Sequence, residues 1–134
     1  MNFVARLSTD HETEEHPLWD DVIAAIRALD AQELTLLTLA PTPPLGVPEG
    51  NHHMCIGGGK DDLCIVYLTE DNMRFWNLVD PAKQASTRRI MILIGGQVGD
   101  YREAQCVPRE WAILAAKAYF ETGTRAAGLH WQEA

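Results

Sequence analysis

The sequence is poor in cysteine and in basic residues, and it contains no long apolar run. Its 134 residues include three cysteines, an odd and sparse number that does not form a disulfide framework. No apolar stretch approaches the roughly 18 residues that are needed to cross a bilayer. The N-terminal residues lack the basic start and the apolar stretch of a secretory signal. These absences predict a cytoplasmic protein with free cysteines.

The shortage of basic residues is uneven along the chain. Eleven lysines and arginines stand against nineteen acidic residues, for a net charge of −8. Residues 1–40 hold eight acidic residues against Arg6 and Arg27, a net of −6, and residues 41–134 carry the remaining −2. Nucleic acids and anionic membranes bind positive surfaces, so neither is expected as a partner. A basic protein would be steered toward this chain, although an acidic face that only aids solubility is the alternative.

The apolar content is sufficient for one hydrophobic core. Hydrophobic residues make up 46% of the chain, and its length fits a single domain over residues 1–134. Residues 17–30 begin with a proline and place apolar side chains three and four positions apart. A second segment with this spacing begins at Pro108 and ends at Gly123, a residue typical of helix C-termini. These patterns predict two helices.

The rest of the chain consists of short apolar runs separated by polar turns. Strands are predicted at residues 3–7, 34–39, 52–56, 63–69, 73–79, 89–94 and 101–106, and a short last strand or a docked tail at residues 129–131. Loops or turns are predicted at residues 11–16, at the proline-rich residues 41–50, and at residues 57–62 and 70–72. This order predicts an α+β fold, in which a mostly antiparallel sheet carries the two main helices packed on one face. The other sheet face, or an edge, is left free for a partner.

Histidine and cysteine offer few candidates for a catalytic or metal site. No histidines or cysteines have the spacing of a structural zinc site, and the adjacent His52 and His53 would point to opposite sides of a strand. The run Gly57-Gly58-Gly59-Lys60 precedes acidic residues and a strand, which indicates a turn and not a phosphate-binding loop. Cys64 paired with His52 or His53 stays open as a thiol nucleophile, although its acidic neighbours disfavour a thiolate. No catalytic residue, cofactor or metal site is predicted.

The C-terminal half contains residues that are typical of one protein family. The apolar strand at 89–94 ends at Gly95-Gly96, and the second helix is entered through Val107-Pro108-Arg109-Glu110. The typical residues that follow are Phe120, Thr122, Gly123, Arg125 and Trp131, and Ala126 occupies a position where the family usually has proline. The segments Ile56-Gly57 and Trp76 to Pro81 are also similar. Over residues 50–132 the chain resembles bacterial immunity proteins of polymorphic toxin systems, in the Imm family numbered one, which are usually paired with deaminase-type toxins.

The resemblance implies a protein without catalytic residues that binds and neutralises a cognate toxin domain. A toxin that deaminates nucleic acid takes the target base into a zinc-containing pocket, and the groove leading to it is basic. We expect acidic residues to occupy that groove and an aromatic residue to anchor them. The predicted toxin contacts are Asp61, Asp62, Glu70, Asp71, Glu12, Glu14, Glu15 and Trp76. The free chain is expected to be a monomer or a weak dimer.

Two other functions stay open on the sequence. A secretion chaperone or an adaptor would also be a protein-binding module, but it would bind several clients or hold a client unfolded. An immunity protein binds one folded toxin domain. A small thiol-dependent enzyme would lose its function in Cys64→Ala and Cys55→Ala variants, which an immunity protein would tolerate.

Overall fold

An antiparallel sheet with two helices on one face is the main feature of the computed structural model, which describes residues 5–42 and 52–134. The helices are α1 (Trp19–Ala28) and α2 (Arg109–Thr122). The strands are β1 (Ala5–Thr9), β2 (Thr13–Glu14), β3 (Leu36–Pro41), β4 (His53–Gly58), β5 (Leu63–Thr69), β6 (Phe75–Leu78), β7 (Arg89–Ile94), β8 (Gln97–Arg102), β9 (Val107–Pro108) and β10 (Trp131–Glu133). The predicted α+β class is confirmed.

The large sheet is assembled from seven strands in the order β10-β6-β5-β4-β3-β1-β2, with the short β9 also beside β5. Every strand pair of this sheet is antiparallel. The strands β7 and β8 pair only with each other in the described part of the chain and form a separate hairpin. No helix among the described residues is long and apolar enough to span a bilayer.

Most predicted elements are present, and four predictions need correction. The strand predicted at 101–106 is wrong, because the chain turns at Gly95-Gly96 and pairs from Gln97 to Arg102. Residues 11–16 include the two-residue strand β2, which pairs with β1. The predicted turn at 57–62 begins later, since Gly57 and Gly58 continue β4. Strand β3 runs on to Pro41, and most of the predicted proline-rich loop lies outside the described residues.

The main core lies between the helices and one face of the sheet. From α1 it includes Val22 and Ile26, and from α2 it includes Tyr119; all three are fully buried. The sheet contributes the alternate residues of β5, Val66 and Leu68, which point toward the helices. Both helices therefore pack on the same face, as predicted. We call the opposite face of the sheet its outer face.

The β7–β8 hairpin covers part of the outer face. Ile92 of the hairpin is buried against Ile65 of β5 and Cys106, in a second and smaller core. Gly57 allows the close approach, because a Cβ atom at this position would lie 2.5 Å from the Cγ2 atom of Ile94. The remainder of the outer face, toward β6 and the β1–β3 side, is not covered by the hairpin.

Arg109 connects the start of α2 to the end of α1. Its guanidinium is nine-tenths buried and donates from Nη1 to the carbonyl oxygens of Ile26 (2.6 Å) and Leu29 (2.9 Å). Nη2 donates to the carbonyl oxygen of Gly59 (3.2 Å), and Nε donates to Asp62 Oδ1 (2.6 Å). A single side chain thus satisfies carbonyl groups at a helix C-terminus that would otherwise lack partners.

Candidate functional site

The acidic residues predicted to contact a toxin lie in three separate places. Asp61 and Asp62 precede β5, and Glu70 and Asp71 follow it. Because β5 has seven residues, these two pairs are on the order of 20 Å apart at opposite ends of the sheet. The third group, residues 12–15, lies at the β2 edge. The structure therefore does not combine the predicted residues into one surface.

A cleft between α1 and the β1–β2 hairpin is lined by Glu12 and Glu14 of the third group, and we call it the acidic cleft. It has a volume of about 370 Å³. Its apolar lining consists of Leu7, Ala24, Ala25, Ala28 and Leu34. The polar residues that line it are Thr9, His11, Glu12, Glu14 and Asp21. An apolar floor beneath carboxylates suits a long basic side chain, whose methylene groups pack on the floor while its charge reaches the rim.

The electrostatics of the acidic cleft favour a cation. Desolvation and the neighbouring Asp21 carboxylate raise the pKa of Glu14, since the two negative charges oppose each other. Within the described part of the chain, no basic side chain forms a salt bridge with Glu12, Glu14 or Glu15. A positive charge from a partner would relieve this repulsion.

The other predicted acidic residues are in part occupied by structural contacts. Asp62 accepts the hydrogen bond from Arg109, although its side chain is 75% exposed. Asp71 Oδ1 accepts hydrogen bonds from the backbone N–H groups of Arg74 (2.9 Å) and Met73 (2.8 Å), which lower the pKa of Asp71. All four acidic residues are exposed, but Asp62 is bound by Arg109 and Asp71 stabilises its own turn.

Trp76 faces the helix layer and is covered by arginine side chains. The guanidinium of Arg125 lies 3.8 Å from its ring centroid, and that of Arg74 lies 5.3 Å away. Glu133 fixes Arg74 through two hydrogen bonds of 2.9 and 3.0 Å. Phe75 points to the outer face, opposite to Trp76, and packs near Tyr67. Arg125 already stacks on the Trp76 ring, and the anchor role of Trp76 stays a prediction.

The residues of the C-terminal sequence pattern hold the end of the chain to the rest of the domain. Phe120 packs on Trp19 of α1 with ring centroids 5.8 Å apart. Gly123 ends α2 with a φ of 73°, and Arg125 stacks on Trp76. The indole of Trp131 donates a hydrogen bond to the carbonyl oxygen of Ala126 (3.1 Å). The pattern therefore specifies the fold, and it leaves the partner-binding surface undefined.

Residues 10–133 match the family described as Immunity protein Imm1. The chain belongs to the Imm1 family. No curated protein matches it. The Imm1 match spans both helices and all strands from β2 to β10, so it includes the acidic cleft as well as the C-terminal pattern. Membership supports an immunity function and a toxin protein as the partner.

The thiol–histidine pair considered for this Imm1 member does not form in the structure. Cys64 is fully buried, and burial raises the pKa of its thiol to about 11, so very little thiolate exists near neutral pH. His53 lies opposite Thr69, five residues along β5 from Cys64, or about 16 Å. His52 instead shares a hydrogen bond of 2.8 Å with the Tyr119 hydroxyl. Among the described residues, no group of three or more potential ligands is placed to hold a metal ion.

The sequence predicts a free sheet face but does not indicate which residues form it. Strand register aligns one row of outer-face side chains across seven strands: Thr13, Ser8, Thr38, Cys55, Tyr67, Asn77 and Gln132. Cavities of about 320 and 140 Å³ adjoin this row beside the β7–β8 hairpin and share Leu36. We call the row and these cavities the sheet groove. Alternation along each strand marks outward residues, but only the register between strands aligns them.

Acid is expected to destabilise this Imm1 domain through its turn carboxylates. Burial opposes ionisation of Asp10, but hydrogen bonds from Thr35 and its neighbour outweigh it, and the pKa of Asp10 is lowered from 3.8. Backbone hydrogen bonds also lower the pKa of Asp30 and Asp71. The raised pKa of Glu14 acts in the opposite direction.

A carboxyl group whose pKa is lower in the folded chain than in the unfolded chain stabilises the fold fully at a pH above its unfolded-state pKa. This stabilisation is lost as the pH falls through the folded-state pKa. We therefore expect the urea midpoint to be nearly constant from about pH 7 to 5 and to fall below about pH 4. An Asp10→Asn variant should start from a lower midpoint and lose less on acidification. A midpoint that does not change down to about pH 3 would contradict this assignment.

Proposed function

We propose that this chain binds and neutralises a cognate bacterial toxin domain, a nucleic-acid or nucleotide deaminase, by blocking the substrate site of the toxin. Membership of the Imm1 family carries this proposal. The deaminase class follows from the sequence resemblance, whose family is usually paired with such toxins. An immunity protein of this kind acts by binding, and it needs no reactive group of its own.

The acidic cleft supports a mechanism in which the chain mimics a polyanion. Residues 10–33 hold eight acidic residues and one basic residue, Arg27, so this region is more negative than the rest of the chain. A toxin that binds nucleic acid presents lysine and arginine side chains along its substrate groove. Such side chains would pair with Glu12, Glu14 and Glu15, and the seated domain would exclude the substrate.

Neutralisation is tested with the toxin domain encoded next to the gene for this chain. The chain should protect cells that express this domain, and the purified proteins should form a one-to-one complex. A fluorescent single-stranded oligonucleotide bound to the toxin should be displaced by the chain. A chain that binds several unfolded proteins but does not protect cells would instead indicate a chaperone or an adaptor.

Charge reversal at the acidic cleft is expected to slow association. In the variant Glu12→Lys/Glu14→Lys, the association rate with the toxin should fall about tenfold or more at low salt, because steering is lost. The salt dependence of the rate should weaken, and stopped-flow fluorescence measures both quantities. The dissociation rate should change less.

The matched control is Glu110→Lys/Glu121→Lys, which changes the net charge by the same amount at exposed positions of α2 away from the acidic cleft. If both double variants slow association equally, steering comes from net charge and the acidic cleft has no special part. If neither slows it, the acidic residues do not guide the encounter.

A further inference from the structure

The row of residues along the sheet groove lacks charged side chains, in contrast to a comparable surface of the same molecule. Asp10 is the one charged residue that lines the two cavities, and its carboxylate accepts hydrogen bonds from Thr35 and Leu36. None of the seven residues of its row is charged. The outward face of the β7–β8 hairpin is also made of strand residues: Arg89, Met91, Leu93, Val98, Asp100 and Arg102. Three of these six residues, the two arginines and the aspartate, are charged. Because interface cores are depleted of charged residues, the sheet groove has the composition of a contact surface.

Aromatic side chains extend the uncharged surface along the outer face. Tyr67 lies between His53 and Phe75, with ring centroids 5.8 and 6.2 Å away, and all three side chains are half-buried. The Thr38 hydroxyl and the Cys55 thiol are hydrogen-bonded to each other at 3.4 Å. The floor therefore combines aromatic area with neutral hydrogen-bonding groups, which suits the desolvated centre of an interface.

The sheet groove and the acidic cleft open on opposite faces of the sheet and adjoin at its β1–β2 edge, where Thr9 lines a cavity of each. Thr13 begins the uncharged row, and it lies in sequence between Glu12 and Glu14, which line the acidic cleft. From Thr13 to Gln132 the row crosses six strand spacings, or about 29 Å. A domain of about 100 residues has a radius of gyration near 13 Å, so one folded partner can cover this length.

We propose that the sheet groove receives an uncharged loop of the toxin domain, while basic residues beside that loop reach the acidic cleft. This inference rests on the proposed function. The β7–β8 hairpin forms one wall of the groove through Ile94 and Tyr101, and the uncharged row forms its floor. Loop contacts in the groove determine how long the complex lasts, whereas the acidic cleft determines how fast it forms.

Lysine substitutions in the floor test the proposal. Thr38→Lys and Asn77→Lys each place a charge in the sheet groove, and the control Leu114→Lys places the same charge on the exposed side of α2. We expect the two groove variants to bind the toxin domain about 100-fold more weakly, chiefly through faster dissociation. Leu114→Lys should bind within about threefold of the wild type. Circular dichroism and the urea midpoint establish that each variant is folded.

A measurement on the wild type removes the dependence on folded variants. Hydroxyl-radical footprinting followed by mass spectrometry should show protection of the Tyr67 and Phe75 side chains when the toxin domain is bound. The exposed Met91 of the hairpin's outward face should keep its reactivity and serves as the internal reference.

The outcomes separate this inference from the proposed function. If the wild type binds the toxin and protects cells, but Tyr67 and Phe75 stay reactive and the groove variants bind like Leu114→Lys, the inference is wrong and the proposed function stands. If Thr38→Lys abolishes self-association of the free chain without affecting toxin binding, the groove serves a second copy and the inference is also wrong. If the wild type does not bind the toxin domain at all, both proposals fail.

Discussion

Replacing Arg109 with alanine is expected to lower the free energy of unfolding by roughly 3–5 kcal/mol. The guanidinium is the partner of buried carbonyl oxygens on Ile26, Leu29 and Gly59, and each would lose a charge-assisted hydrogen bond. A domain of this size has only about 5–15 kcal/mol of stability, so the variant should be largely unfolded at moderate urea concentrations. Urea titration followed by circular dichroism measures the change.

Three further variants locate the origin of this loss. Arg109→Lys keeps the charge but cannot reach several acceptors at once, so it should recover only part of the stability. Asp62→Asn removes the partner carboxylate, which is 75% exposed, and should cost less than about 1 kcal/mol. Arg27→Gln removes an exposed ion pair with Glu110 and should have little effect. An Arg109→Ala loss no larger than that of Asp62→Asn would show that the carbonyl contacts contribute nothing.

Replacing Gly59 with alanine is the second change with a large expected effect. Gly59 has a φ of 102°, which L-residues rarely adopt, and a Cβ atom there would collide with the backbone carbonyl group of Leu29. The backbone strain and the clash together should lower the free energy of unfolding by about 2–4 kcal/mol. The turn cannot move away freely, because its carbonyl oxygen is held by Arg109. Thermal and urea unfolding measure the loss.

Two other glycines supply graded controls for Gly59→Ala. A Cβ atom at Gly128 meets nothing within 4 Å, so Gly128→Ala should change the stability by less than about 0.5 kcal/mol. Gly57→Ala should have an intermediate effect, because its new methyl group meets the movable side chain of Ile94. If all three substitutions lowered the free energy of unfolding equally, the effect would come from the unfolded chain. The close approach of Gly59 to Leu29 would then not be its cause.

The helices and several strands could be predicted because their signals are local. Apolar residues three and four positions apart identified α1 and α2. The strands at 63–69 and 89–94 have the predicted bounds. The C-terminal pattern likewise identified the family, and its residues hold the end of the chain to the rest of the domain. The strand predicted at 101–106 was wrong because the position of β8 is set by its pairing with β7 across the turn at Gly95-Gly96. Pairing between strands is not visible in the local sequence.

The acidic character of the chain, its α+β class and its family were determined by the sequence alone, because composition, periodicity and motif residues are properties of single segments. The location of a binding surface was decided only by the tertiary structure. Glu12 and Glu14 line a cleft because α1 packs beside the β1–β2 hairpin, while Asp62 binds Arg109 and Asp71 stabilises a turn. The uncharged row from Thr13 to Gln132 exists only through the register of seven strands, since its members are distant in sequence and meet only when the backbone hydrogen bonds align them.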